Sequence, residues 1–177
     1  MGKNTKARER FAAMPFWRRA ERTVAQMLRL HGIPCKLIAR ENRGWDVETT
    51  KARLRIEVKA ARLLRHRKKN HLTRSPFWAV SIARQHRLRE DCDFYVIRLL
   101  GDDLRKIYLI LPAPLRTKML QVTFLQLLTK YRDNVNAWHL IQDADRDASL
   151  GLLKKSVQLV NSGSEPSPAR KDGQCAA

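Results

Sequence analysis

Asp46 and the pair Glu57-x-Lys59 are the residues of this 177-residue chain whose types and spacing could do chemistry together. Around the pair, Leu54, Ile56, Val58 and Ala60 alternate with Arg53, Arg55, Glu57 and Lys59, the period of two expected of a β-strand. Glu57 and Lys59 then project from one face, roughly 6–7 Å apart at the usual rise per residue. Trp45, Asp46 and Val47 read as a short strand before it, and the segment from Thr49 to Arg53 is short enough for a hairpin connection. A strand across the ladder lies about 5 Å away, so Asp46 reaches the same spot as Glu57. Two carboxylates and an ammonium at one point can hold Mg²⁺ beside a phosphodiester.

The surrounding elements must position that point. Pro15 suits the first turn of a helix and Gly32 with Pro34 stops one, so Phe16 to Leu30 reads as helical. Trp17, Val24 and Leu28 define its apolar stripe, and Glu21 falls inside that stripe. A carboxylate there is costly unless it is paired or binds a cation, with Arg18 and Arg22 as the ordinary partners. Strand candidates follow at Cys35 to Ala39, around Asp46, around Glu57, and at Phe77 to Ala83, Phe94 to Leu100 and Ile107 to Leu111. Gln85 to Asp91 has room for about two helical turns. Helical spacing also appears at Met119 to Tyr131, through Met119, Val122, Leu125 and Leu128, and at Ala148 to Val160. One helix, a run of strands and late helices imply an α/β core with a mixed sheet flanked by helices.

The aspartate, the E-x-K strand and the helix ahead of them resemble the PD-(D/E)xK nuclease superfamily over roughly Phe16 to Leu111, with the Holliday junction resolvases and homing endonucleases as the nearest branches. The residue before the aspartate is Trp45, where the signature has proline. The resemblance implies a restriction-endonuclease-like core and a metal-dependent DNA endonuclease. On this reading Asp46 and Glu57, with the carbonyl of Val58, hold Mg²⁺, for which Mn²⁺ could substitute. Lys59 positions or activates the attacking water and offsets developing negative charge. Glu21 corresponds to the glutamate that family members carry on the first helix beside the metal. A small nuclease with one centre cuts two strands most simply as a C₂ homodimer.

Composition agrees with a nucleic-acid partner. The chain holds 36 Lys+Arg against 17 Asp+Glu, a formal net charge of +19. Such an excess supplies the electrostatic term that dominates affinity for a phosphate backbone. Arg62 to Arg74 (RLLRHRKKNHLTR) is the densest basic segment, so Arg62, Arg65, Arg67, Lys68, Lys69 and Arg74 are expected to contact duplex or branched DNA. A solvated charged loop is the plainer alternative. For the whole chain the rival is a non-catalytic nucleic-acid-binding module, a degenerate nuclease or an RNA-binding protein, for which the carboxylates would be superfluous. His66, Asn70 and His71 evoke H-N-H nucleases, but their spacing is too compact for that scaffold.

The length implies one domain, 13–160, behind a basic arm at 1–12 and ahead of a polar, proline-containing tail at 161–177 with the composition of disorder. Cys35, Cys92 and Cys175 lack the spacing of a zinc site or a disulfide framework. No small-molecule cofactor motif, Gly-rich phosphate loop or membrane span is evident, and a cytoplasmic or nucleoid-associated location is expected.

Overall fold

A computed structural model describes residues 14–38, 45–65, 75–82, 92–101, 106–115 and 117–162, with side chains as far as residue 151. The expected basic arm and tail tip lie outside these residues. So do Cys175, His66, Asn70, His71, His86 and the short helix expected at Gln85 to Asp91.

Helix α1 spans Phe16–Leu30, where the sequence places it. It ends because Gly32 adopts φ +73°, open to glycine at no steric cost. Ile33 N–H donates to the Leu28 carbonyl and Gly32 N–H to that of Arg29, the paired bonds of a Schellman stop. Ala20, Val24, Ala25 and Leu28 face inward. Trp17, expected on that stripe, is 44% exposed, so the buried face begins one turn later.

The strands are β1 (Cys35–Leu37), β2 (Val47–Thr49), β3 (Arg55–Leu64), β4 (Phe77–Ser81), β5 (Phe94–Leu100), β6 (Lys106–Pro112) and β7 (Met119–Thr123). They form one seven-stranded sheet with β3 as its spine. Along one edge β3 runs parallel to β5, from Ile56 opposite Phe94 to Arg62 opposite Leu100. The remaining pairings are antiparallel, so the sheet is mixed. On its other edge β3 meets β2 at Arg55 and Ile56, and β4 at Leu63 and Leu64. Between these two partners, among the described residues, the edge from Glu57 to Arg62 carries no strand.

Two cores follow from the alternation along β3. Ile56 and Val58 pack with α1, Phe94, Val96 and Ile110, and with Trp138 and Ile141 of helix α3 (Trp138–Ser162). Ala61 faces the other way, toward Trp78, Tyr95, Ile97, Leu99 and Leu109. Trp78 is fully buried, and Cys35 and Cys92 are buried as small apolar residues. Burial pushes the Cys35 thiol up from its ordinary value, with Arg29 acting against that shift.

Met119 to Tyr131 is not one helix. Its first five residues form β7, with Leu120 and Val122 buried and Met119 and Gln121 exposed, a period of two. Helix α2 (Phe124–Leu128) starts only at Thr123, whose side chain accepts from Gln126 N–H while Gln126 reciprocates to the Thr123 backbone. The leucines that mimic a helical stripe therefore belong to two elements with different periods. The last helix begins ten residues ahead of the expected Ala148, at Trp138.

Candidate active site

Asp46 lies just before β2, where the β2–β3 ladder slips. Val47 pairs with Ile56, yet Asp46 N–H also donates to the Ile56 carbonyl, at 3.0 Å. Two residues therefore share one partner, the arrangement of a β-bulge, which re-aims a side chain and ends a ladder. Asp46 Oδ2 is turned onto the edge of β3 and accepts the Val58 N–H at 2.8 Å. A side-chain oxygen has replaced the backbone acceptor that a continuing β2 would have supplied. Residues in a ladder turn their N–H and C=O to the same edge, so the Val58 carbonyl lies on that edge as well.

Glu57 and Lys59 share the face of β3 opposite α1. The Glu57 side chain is 4% exposed, that of Lys59 is 25% exposed, and Lys59 Nζ lies 2.5 Å from Glu57 Oε1. A carboxylate taken this far out of water needs a cationic or hydrogen-bonding partner, which Lys59 supplies. The Asp46–Val58 bond thus lies on the stretch of β3 edge without a strand, and Glu57 and Lys59 flank Val58 in sequence with their side chains paired on the sheet face.

Glu21 is half-buried on α1. Ala20 and Val24 of that helix enter the core, and Thr23 faces Arg98 of β5. Glu21 precedes Thr23 by two residues, a rotation of about 200°, which puts it on the flank directed away from β5. Among the described residues no three His, Cys, Asp or Glu side chains gather closely enough to hold an ion. Arg62 and Arg65, at the end of β3, are exposed, with the Arg62 guanidinium 4.9 Å from the centre of the Phe16 ring. Arg67, Lys68, Lys69 and Arg74 lie outside the described residues.

Two further carboxylates hold the site in place, and the sequence reading missed both. Asp145 of α3 is buried, and its Oδ1 accepts the Thr49 hydroxyl at 2.5 Å and the Ala52 N–H at 3.1 Å. Thr49 Oγ1 in turn accepts the Leu54 N–H, which ties the β2–β3 turn to the helix. Asp93 Oδ2 accepts the Arg55 N–H at 2.7 Å, and its carboxylate also pairs with the Arg55 guanidinium. The signal for Asp145 was present: it follows Trp138 by seven residues and Ile141 by four, on the buried stripe of its helix.

No family model matches the chain, and no curated protein matches it in sequence. A solved structure of a bacterial homing endonuclease, I-Ssp6803I, is similar over 72% of this chain and 91% of that one, with a TM-score of 0.54 and 15% identity. The fold is nuclease-like. At that identity the likeness is one of architecture: a mixed sheet flanked by helices, in the α/β class. Among the described residues no helix is long and apolar enough to cross a membrane.

Proposed function

We propose that the chain is a Mg²⁺-dependent DNA endonuclease of the PD-(D/E)xK type, with Asp46, Glu57 and Lys59 at its centre. The observation that carries this reading is the Asp46 carboxylate on the open edge of β3, bonded to the peptide between Glu57 and Lys59. Binding a polyanion requires no carboxylate there, and an acidic group would repel phosphate. The donor set also fits the ion: two carboxylates and the Val58 carbonyl are hard oxygen ligands of the kind Mg²⁺ or Mn²⁺ takes. When bound, the ion polarises the phosphoryl oxygen and lowers the pKa of its water.

The protein's own groups do the rest. Asp46 and Glu57 fix the position of positive charge at the strand edge. Lys59 keeps an ammonium beside the reacting phosphate, where partial exclusion of water strengthens it. Glu21, from the flank of α1 away from β5, would contribute a further carboxylate to the metal site. Arg62 and Arg65, with Arg67, Lys68, Lys69 and Arg74 beyond them, hold the phosphate backbone. Two copies related by a two-fold axis would present two such edges to the two strands of a duplex.

The test is a divalent-ion titration on plasmid and branched DNA. Strand cleavage that appears with Mg²⁺ and stops with chelator is expected. Retention of DNA without cleavage at any divalent concentration would instead establish the non-catalytic binding module.

A further inference from the structure

Four buried side-chain polar atoms of the described residues have no hydrogen-bond partner: Arg19 Nε, Arg98 Nε, the Tyr108 hydroxyl and Trp45 Nε1. The first three lie on facing elements, α1 and the β5–β6 pair. Arg98 of β5 lies directly across the ladder from Tyr108 of β6. Its Nη1 is 3.4 Å from Thr23 Oγ1 on α1, a long contact. Arg19 precedes Thr23 by one helical turn on the same flank, and its carbonyl accepts the Thr23 hydroxyl at 2.6 Å. Arg98 thus reaches Thr23 of α1 from beside Tyr108, and Arg19 stands one turn before Thr23 on that helix.

Each orphaned donor has a cost. A buried N–H or O–H without a partner forfeits its hydration and gains nothing in return. No carboxylate of the described residues pairs with either arginine. Tyr108 is 1% exposed, and burial raises its hydroxyl pKa, with Arg98 opposing that shift, so it stays a donor at neutral pH. Thr23 Oγ1 and the Arg19 carbonyl are already engaged, which leaves both arginine Nε groups and the Tyr108 hydroxyl without an acceptor. One tetrahedral oxyanion would satisfy all of these groups at once, since arginine matches phosphate geometry.

We infer that Arg19, Arg98 and Tyr108, beside Thr23, form an oxyanion site that takes a phosphate group. The site lies on the β5 flank of α1, on the opposite face of the sheet from Glu57 and Lys59. It is therefore separate from the proposed catalytic edge, and the inference does not depend on the hydrolytic reading. The phosphate belongs to a nucleic-acid backbone or to a free phosphate or nucleotide, and the experiment distinguishes the two.

Thermal unfolding of the full chain is followed in inorganic phosphate and in chloride of equal ionic strength, without divalent metal. Arg19→Met/Arg98→Met is compared with Arg18→Met/Arg22→Met, which removes the same charge from the exposed face of α1. In chloride, Arg19→Met/Arg98→Met is expected to melt at or above wild type, because apolar groups replace orphaned donors. In phosphate, wild type and the control gain a melting temperature increment that grows with the logarithm of phosphate concentration, and Arg19→Met/Arg98→Met does not. Tyr108→Phe keeps the fold's packing and reduces that increment. Equal phosphate increments in the two double variants would overturn the site.

A duplex oligonucleotide then identifies the source. If the backbone supplies the phosphate, Arg19→Met/Arg98→Met flattens the salt dependence of duplex binding more than the control does, by up to about 0.9 per lost contact. If the ligand is free phosphate, both double variants lose duplex affinity equally while only one loses the phosphate increment. Absence of DNA cleavage in the wild type would bear on the catalytic edge alone.

Discussion

Along the first half of β3, Arg55, Glu57 and Lys59 alternate with Ile56 and Val58, whereas beyond Ala60 the same strand gives Ala61 and Leu63 to an apolar core. Both halves pack on an apolar core, and they differ in what else holds them. The first is held by carboxylates acting on backbone groups: Asp93 on Arg55, Asp46 on Val58, and Asp145 on the preceding turn. The second is held by packing, with Trp78, Tyr95 and Leu99 fully buried. Between them β3 exchanges β2 for β4. At that exchange the edge must be satisfied by side chains or ligands instead of a strand. The candidate centre lies where this ladder changes partners, with the Asp46 carboxylate on the Val58 N–H and the Glu57–Lys59 pair beside it.

Substitutions can break this contrast. The largest effect belongs to the centre: Glu57→Gln, Asp46→Asn and Lys59→Ala should each cut the cleavage rate ~10³-fold or more, a size typical of lost electrostatic groups. DNA affinity in a filter-binding assay should stay largely intact, because the basic surface supplies it. Full activity in either carboxylate variant would remove that residue from the centre.

In the packed half, Trp78→Ala should cost about 3–5 kcal/mol, read by chemical denaturation, through the cavity and the lost indole bond to the Leu100 carbonyl. The Mg²⁺ concentration for half-maximal cleavage by the remaining folded protein should not move. Asp145→Ala sharpens the contrast, since it is structural yet serves the polar half. It strands the buried Thr49 hydroxyl and the Ala52 N–H, at about 2–3 kcal/mol. Cleavage should fall with it at temperatures well below melting, because the β2–β3 turn sets where Asp46 lies.

Glu21→Gln should raise the Mg²⁺ requirement by a few fold with an unchanged melting temperature. A lower melting temperature and an unchanged Mg²⁺ requirement would make Glu21 a structural partner only. The smallest effect is at Arg53, whose φ of +58° strains an L-residue in the turn ahead of β3. Arg53→Val should lose about 1 kcal/mol, while Arg53→Gly should lose nothing measurable by denaturation.

Much of this was legible in the sequence. Helix α1 was found to the residue because Pro15 and Gly32 punctuate it, and β5 because an apolar run lies between Asp93 and Gly101. The shared face of Glu57 and Lys59 followed from a period of two, whereas Asp46 lies ahead of the strand expected to carry it, because β2 begins at Val47. What escaped depends on long-range geometry. The bulge at Asp46 arises from pairing register, and the division of β3 between β2 and β4 from the path of the whole sheet. Asp145 lies 96 residues from the threonine it holds, a contact that local periodicity cannot reveal. The Met119 stretch misled because Met119, Val122, Leu125 and Leu128 keep helical spacing across the junction of a strand and a helix.

The central claim is that Asp46 and Glu57, meeting at the open edge of β3, gather a divalent cation. Calorimetric titration of Mn²⁺ into the full chain, without DNA, addresses it directly. Saturable binding by wild type that is lost in both Asp46→Asn and Glu57→Gln, with Arg19→Met/Arg98→Met retaining it, is the predicted result. No saturable binding by wild type, or binding that survives in both carboxylate variants, would contradict it.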